Sequence, residues 1–101
     1  MSLNEPSTIR LDLSVRPNPA TDAVTILGAL GGNTLGRVPP DVACFDSAGR
    51  LVARLAAFVV PGRGFHARWN LETTAGKPAV PGVYWIRAGN ASTRLVVVPK
   101  R

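Results

Sequence analysis

An all-β fold of two packed antiparallel sheets is predicted by three observations. Apolar and polar residues alternate with a period of two, as in Ile9, Leu11, Leu13 and Val15 against Arg10, Asp12, Ser14 and Arg16. Turn-forming residues are frequent, with 10 Gly and 9 Pro in 101 residues. No stretch carries the 3.6-residue period of an amphipathic helix.

The first strand spans residues 9–16. Pro17-Asn18-Pro19 ends it, because two prolines cannot continue a hydrogen-bonded ladder. Residues 23–27 form the second strand, with Val24 and Ile26 on one face. The Gly-rich run from 28 to Pro39-Pro40 reads as a loop. The third strand, 41–47, leads into Asp46-Ser47-Ala48-Gly49. Asp at the first turn position bonds its own backbone two residues on, and Gly at the fourth supplies the positive φ of a bulged hairpin. The fourth strand spans 50–57, with Leu51, Ala53 and Leu55 expected inward and Arg50, Val52 and Arg54 outward. Residues 59–64 read as a loop. In the fifth strand, 65–71, Phe65, Ala67, Trp69 and Leu71 form the apolar face and His66, Arg68 and Asn70 the polar one. A turn-rich connection to Gly82 precedes the sixth strand, 83–88. Gly89-Asn90 is a two-residue hairpin signal, and 92–99 is the seventh strand. Seven short strands at this spacing predict a seven-stranded antiparallel Ig-like β-sandwich over residues 9–101. The polar residues 1–8 are expected to be a disordered segment or linker.

Composition excludes much chemistry. Hydrophobic residues make up 46% and charged residues 18%, which suits one globular core. One His and one Cys exclude a His/Cys zinc cage and an intrachain disulfide. A catalytic triad would have to use His66. The net charge is +6, yet the ten Arg and two Lys are spread along the chain without a run. They read as a solvated surface rather than a nucleic-acid footprint. No segment reaches the ~18 apolar residues of a membrane span, so membrane insertion is not expected. No secretory leader is read at the start, which fits a piece of a longer exported chain or a cytoplasmic protein.

Three motifs follow one another. Val15-Arg16-Pro17-Asn18-Pro19-Ala20-Thr21-Asp22 comes before Val24 and Ile26. Phe45-Asp46-Ser47-Ala48-Gly49-Arg50-Leu51-Val52 comes next. Gly82-Val83-Tyr84-Trp85-Ile86-Arg87 then precedes an apolar strand closing on Lys100-Arg101. In this order they resemble the C-terminal sorting domain of type IX (Por) secretion substrates. That family reads as Pro-Asn-Pro, an Asp-x-x-Gly-Arg hairpin, a Gly-Val-Tyr strand and a Lys/Arg-rich end. The stretch from Trp69 to Tyr84, with Gly76 and Gly82, is also similar to the Ig-like domain of flagellar hook-capping proteins. The resemblance spans residues 12–101. Two positions depart from it: Asn70-Leu71 stands where the hook-cap pattern has Asp-Gly, and Arg94 where sorting domains often have a Lys pair.

The resemblance implies an Ig-like module at the end of a longer exported protein, carried across the outer membrane by a dedicated translocon. It implies that the recognised part is Leu95, Val96, Val97, Val98, Pro99, Lys100 and Arg101. Implied partners are the type IX translocon or attachment components and upstream domains of the same polypeptide.

Other candidates are read from the residues. His66 is a conceivable general base, but beside Arg68 it reads as part of a wet face. Cys44, between Ala43 and Phe45, reads as a small buried hydrophobe rather than a reactive thiol. Asp46 with Asp41 falls short of the oxygens calcium needs, and Asp46 reads as a turn former with Gly49 and Gly82. Among Trp69, Tyr84 and Trp85, neighbours on a strand face opposite ways. Tyr84 with Ile86 is therefore expected in the core, which leaves Trp85 beside Arg87 as a candidate contact surface. Arg50, Arg54, Arg68, Arg87 and Arg94 would form a basic patch if their strands are neighbours.

The function expected is that of a non-catalytic sorting and attachment module of a larger secreted or cell-surface protein, with no cofactor. The end strand would be read by the secretion apparatus, with strand pairing along 92–99 as one mode. Two alternatives remain: a carbohydrate- or surface-binding module of a secreted hydrolase, and a structural segment of a hook-cap-like scaffold.

Overall fold

The computed structural model describes residues 11–30, 41–60, 64–89 and 91–99. Residues 1–8, expected as a linker, lie outside the described residues, as do Asn90, Lys100 and Arg101. Eight strands are formed: β1 (Leu11–Arg16), β2 (Val24–Leu30), β3 (Val42–Asp46), β4 (Leu51–Leu55), β5 (Phe58–Val60), β6 (Gly64–Trp69), β7 (Gly82–Ala88) and β8 (Ala91–Val97). They make two four-stranded antiparallel sheets, in the orders β1-β2-β6-β5 and β4-β3-β7-β8. β1 lies against β8, and β4 against β6, so the sheets stack as a β-sandwich. Among the described residues no helix is long and apolar enough to cross a membrane.

The strand count is eight rather than seven. The extra strand is β5, expected as the start of a loop. Its Val59 pairs Phe65 and its Val60 pairs Gly64. β2 also runs past residue 27, through Gly28, which pairs Phe65 across the sheet. The Phe65 ring occupies the space above Gly28: a Cβ built there would lie 2.2 Å from Phe65 Cζ. Gly28 is therefore a strand residue roofed by an aromatic ring, not a turn residue.

The inward face follows the period of two. Val15, Val24, Ile26, Phe65, Ala67 and Trp69 of the first sheet meet Val42, Cys44, Tyr84, Ile86, Leu95 and Val97 of the second. Burying each large side chain contributes about 1.5–3 kcal/mol. Trp69 and Tyr84 meet edge to face across the sandwich, with ring centroids 5.5 Å apart at 73°. Each polar tip is also held. Trp69 Nε1 donates to the Glu72 carbonyl at 2.8 Å, and the Tyr84 hydroxyl donates to the Val80 carbonyl.

On β4 the expected facing is corrected. Cys44 pairs Ala53, but Phe45 pairs Leu51, so Val52 is an extra residue opposite no partner on β3. This bulge turns Leu51 out, leaving it 44% exposed, and packs Val52 partly against the core. The departure at Asn70-Leu71 also has a structural counterpart. Leu71 holds a φ of 60°, the left-handed region that glycine enters freely, and its side chain is buried.

Candidate functional site

The segment after β1 does more than turn the chain. It crosses from the first sheet to the outer edge of β8 in the second. The Asn18 carboxamide donates through Nδ2 to the Arg94 carbonyl at 2.8 Å, and its Oδ1 accepts from the Val96 N–H at 3.0 Å. Ala20 continues the pattern: its N–H donates to the Val96 carbonyl and its carbonyl accepts from the Val98 N–H, both at 2.8 Å. Ala20 and Val97 thus form a short parallel bridge. The peptide bonds Arg16–Pro17 and Asn18–Pro19 are both cis.

The strand pairing expected along 92–99 is narrowed by these bonds. From the Arg94 carbonyl to the Val98 N–H, the groups that would receive an added strand are bonded to Asn18 and Ala20. The residues expected for recognition separate by face. Leu95 and Val97 are core side chains, Val96 and Val98 are half-buried, and Pro99 is exposed.

The β3–β4 turn has the expected chemistry. Asp46 Oδ1 accepts from the backbone N–H groups of Ala48 and Arg50, each at 2.9 Å, and Oδ2 pairs with Arg50 Nε at 3.0 Å. The hydrogen bond from the Arg50 N–H is the largest cause holding the Asp46 carboxyl below its ordinary pKa. Gly49 donates to the Asp46 carbonyl at 2.9 Å with a φ of 83°. Gly82, with a φ of 152°, opens β7 opposite Val97. Asp46 is thus engaged by its own turn. Among the described residues no cluster of three His, Cys, Asp or Glu side chains is placed to hold a metal ion.

Trp69 and Tyr84 are core residues, while Trp85 points out and is 44% exposed. Register places Trp85 between Phe45 on β3 and Arg94 on β8. Phe45 is in turn opposite Leu51 on β4. One row across the outer face of the second sheet is therefore Leu51, Phe45, Trp85 and Arg94. In the next row Arg54 pairs Ala43, and Ala43 pairs Arg87. The Arg87 guanidinium carbon lies 5.8 Å from the Phe45 ring centroid. Of the five arginines named for a patch, Arg54, Arg87 and Arg94 share this face. Arg68 lies on the outer face of the first sheet, opposite Thr25 on β2, and Arg50 is held by Asp46.

His66 is exposed on the first sheet and stacks on Phe58, with centroids 5.5 Å apart. Cys44 is fully buried, and burial pushes its thiol up to about 12. Sequence reasoning missed the Asn18 clamp. The only local signal was an amide side chain held between two prolines.

No family model matches this chain, and no curated protein sequence matches it. Among solved structures it is similar to dimeric latent PorU from Porphyromonas gingivalis, with a TM-score of 0.69 and 18% identity. The match covers 97% of this chain and 10% of that one. At this identity the likeness is one of fold.

Proposed function

We propose that the chain is a non-catalytic sorting and attachment module of a larger exported protein, read by type IX secretion components. The observation that carries this reading is the Asn18 clamp on β8. Asn18 of the first motif, Pro17-Asn18-Pro19, is hydrogen-bonded to β8, the strand that precedes Lys100-Arg101 in sequence. Asn18 and Ala20, from the first motif, thus lie along the edge of the strand that the resemblance marks for recognition. The fold likeness to PorU, which bears the name of the same Por system, supports the reading. An Ig-like plan, export to the cell surface and dependence on upstream domains belong to the same proposal. With the β8 edge occupied, the signal is the outward side of Val96 and Val98 with Pro99, Lys100 and Arg101.

An export assay tests this. The chain is fused behind a signal peptide and a fluorescent reporter in a host carrying type IX machinery. A twin ends at Pro99, which spares the buried Leu95 and Val97. Surface or medium fluorescence for the full fusion, and periplasmic retention of the folded twin, is the expected result. Retention of both as folded proteins overturns the proposal.

A further inference from the structure

The outer face of the second sheet joins apolar surface to three arginines. Leu51, Phe45 and Trp85 form an apolar row ending in Arg94, and Arg54 and Arg87 stand in the row beside it. Arg54 and Arg87 are two strands apart, hence about 10 Å at the usual strand spacing. Arg87 and Arg94 are diagonal cross-strand neighbours, about 7–8 Å apart. Among the described residues neither Arg87 nor Arg94 makes an ion pair. Arg54 has only Asp41, at 3.9 Å, with both side chains largely in water. No acidic residue occupies either row.

We propose that this face binds a linear polysaccharide bearing carboxylates, laid across the strands. The apolar row, with its exposed indole, suits the C–H face of a pyranose ring. The arginines beside it suit carboxylates, which the planar guanidinium grips with two parallel hydrogen bonds. Arg87 is already aligned, because its guanidinium rests over Phe45. Nucleic acid fits less well: single-strand binders stack successive bases on several aromatics, and Trp85 is the one strongly exposed aromatic on this face. The charge complementarity is that of a +6 chain and a polyanion. The inference stands apart from the sorting reading, since it uses neither the chain end nor the Asn18 clamp.

Affinity electrophoresis of the full chain through polygalacturonate, neutral dextran or immobilised oligo-dT tests it. Retardation by polygalacturonate alone, weakening with salt, is expected. Trp85→Ala should weaken it about tenfold, and Arg87→Gln or Arg94→Gln each about threefold to tenfold, as lost stacking and charge-assisted bonds imply. Arg68→Gln, on the other sheet, should leave it unchanged. The two second-sheet arginine variants keep the test decisive should Trp85→Ala fail to fold. No retardation, equal retardation by dextran, stronger retention by oligo-dT, or an equal effect of Arg68→Gln would each overturn the proposal.

Discussion

The side chain of Asn18 stands beside Val96 as a peptide group of a neighbouring strand would. It accepts from the Val96 N–H at 3.0 Å and donates to the Arg94 carbonyl at 2.8 Å. Asn18→Ala removes both bonds. At about 0.5–1.5 kcal/mol each, urea unfolding should show a loss of about 1–3 kcal/mol. Asn18→Asp keeps the acceptor for Val96 but sets a carboxylate against the Arg94 carbonyl. Its deficit should narrow as acid protonates the carboxyl and restores a donor. A deficit independent of pH would show that the amide's donor role is not what stabilises the edge.

Asp46 carries a pH prediction. Its carboxyl titrates below its ordinary value in the folded chain, chiefly because the Arg50 N–H bonds the charged form. A depressed folded pKa adds stability above the unfolded pKa, and that stability is lost as pH falls through the folded value. Asp46→Asn keeps an acceptor for the turn but lacks the charge. Wild type should therefore be the more stable at neutral pH, and the urea midpoints should converge in acid. A gap that persists unchanged in acid contradicts the assignment.

Gly64 cannot carry a side chain. Its φ is 131°, and a Cβ would lie 1.9 Å from the Gly28 carbonyl oxygen. Gly64→Ala should cost more than about 3 kcal/mol or prevent folding, since backbone strain and a backbone clash combine. Gly49→Ala, with a positive φ but open space around it, should cost only about 1–2 kcal/mol. Equal losses at the two sites would rule out the clash at Gly64.

Cys44 should resist thiol reagents in the folded protein. Its thiol is pushed up to about 12 by burial, so the reactive thiolate is scarce near neutral pH. Labelling with a chromogenic disulfide should be slow in buffer and fast in denaturant. Fast labelling without denaturant would mean that β3 is open to solvent.

Alternation made most strands legible, because a half-buried strand writes its two faces into the sequence. It correctly set Phe65, Ala67 and Trp69 against His66 and Arg68, and Tyr84 against Trp85. β5 was hidden because Phe58-Val59-Val60 has no polar alternation and lies beside Pro61 and Gly62. Leu51 was misfaced because a bulge shifts the register without marking itself in composition. Trp85 could be read as outward, but its row with Leu51, Phe45 and Arg94 depends on sheet order. Asn18 could not be assigned a partner, since its contacts are 76 and 78 residues away.

That separation bears on synthesis. The Asn18 and Ala20 bonds close almost the whole chain into one loop, so they form only after β8 has left the ribosome or a membrane pore. In a chain emerging amino end first, the segment of Asn18 and Ala20 waits for a strand not yet delivered. Closure of this domain therefore reports that translation or translocation has reached the final strand.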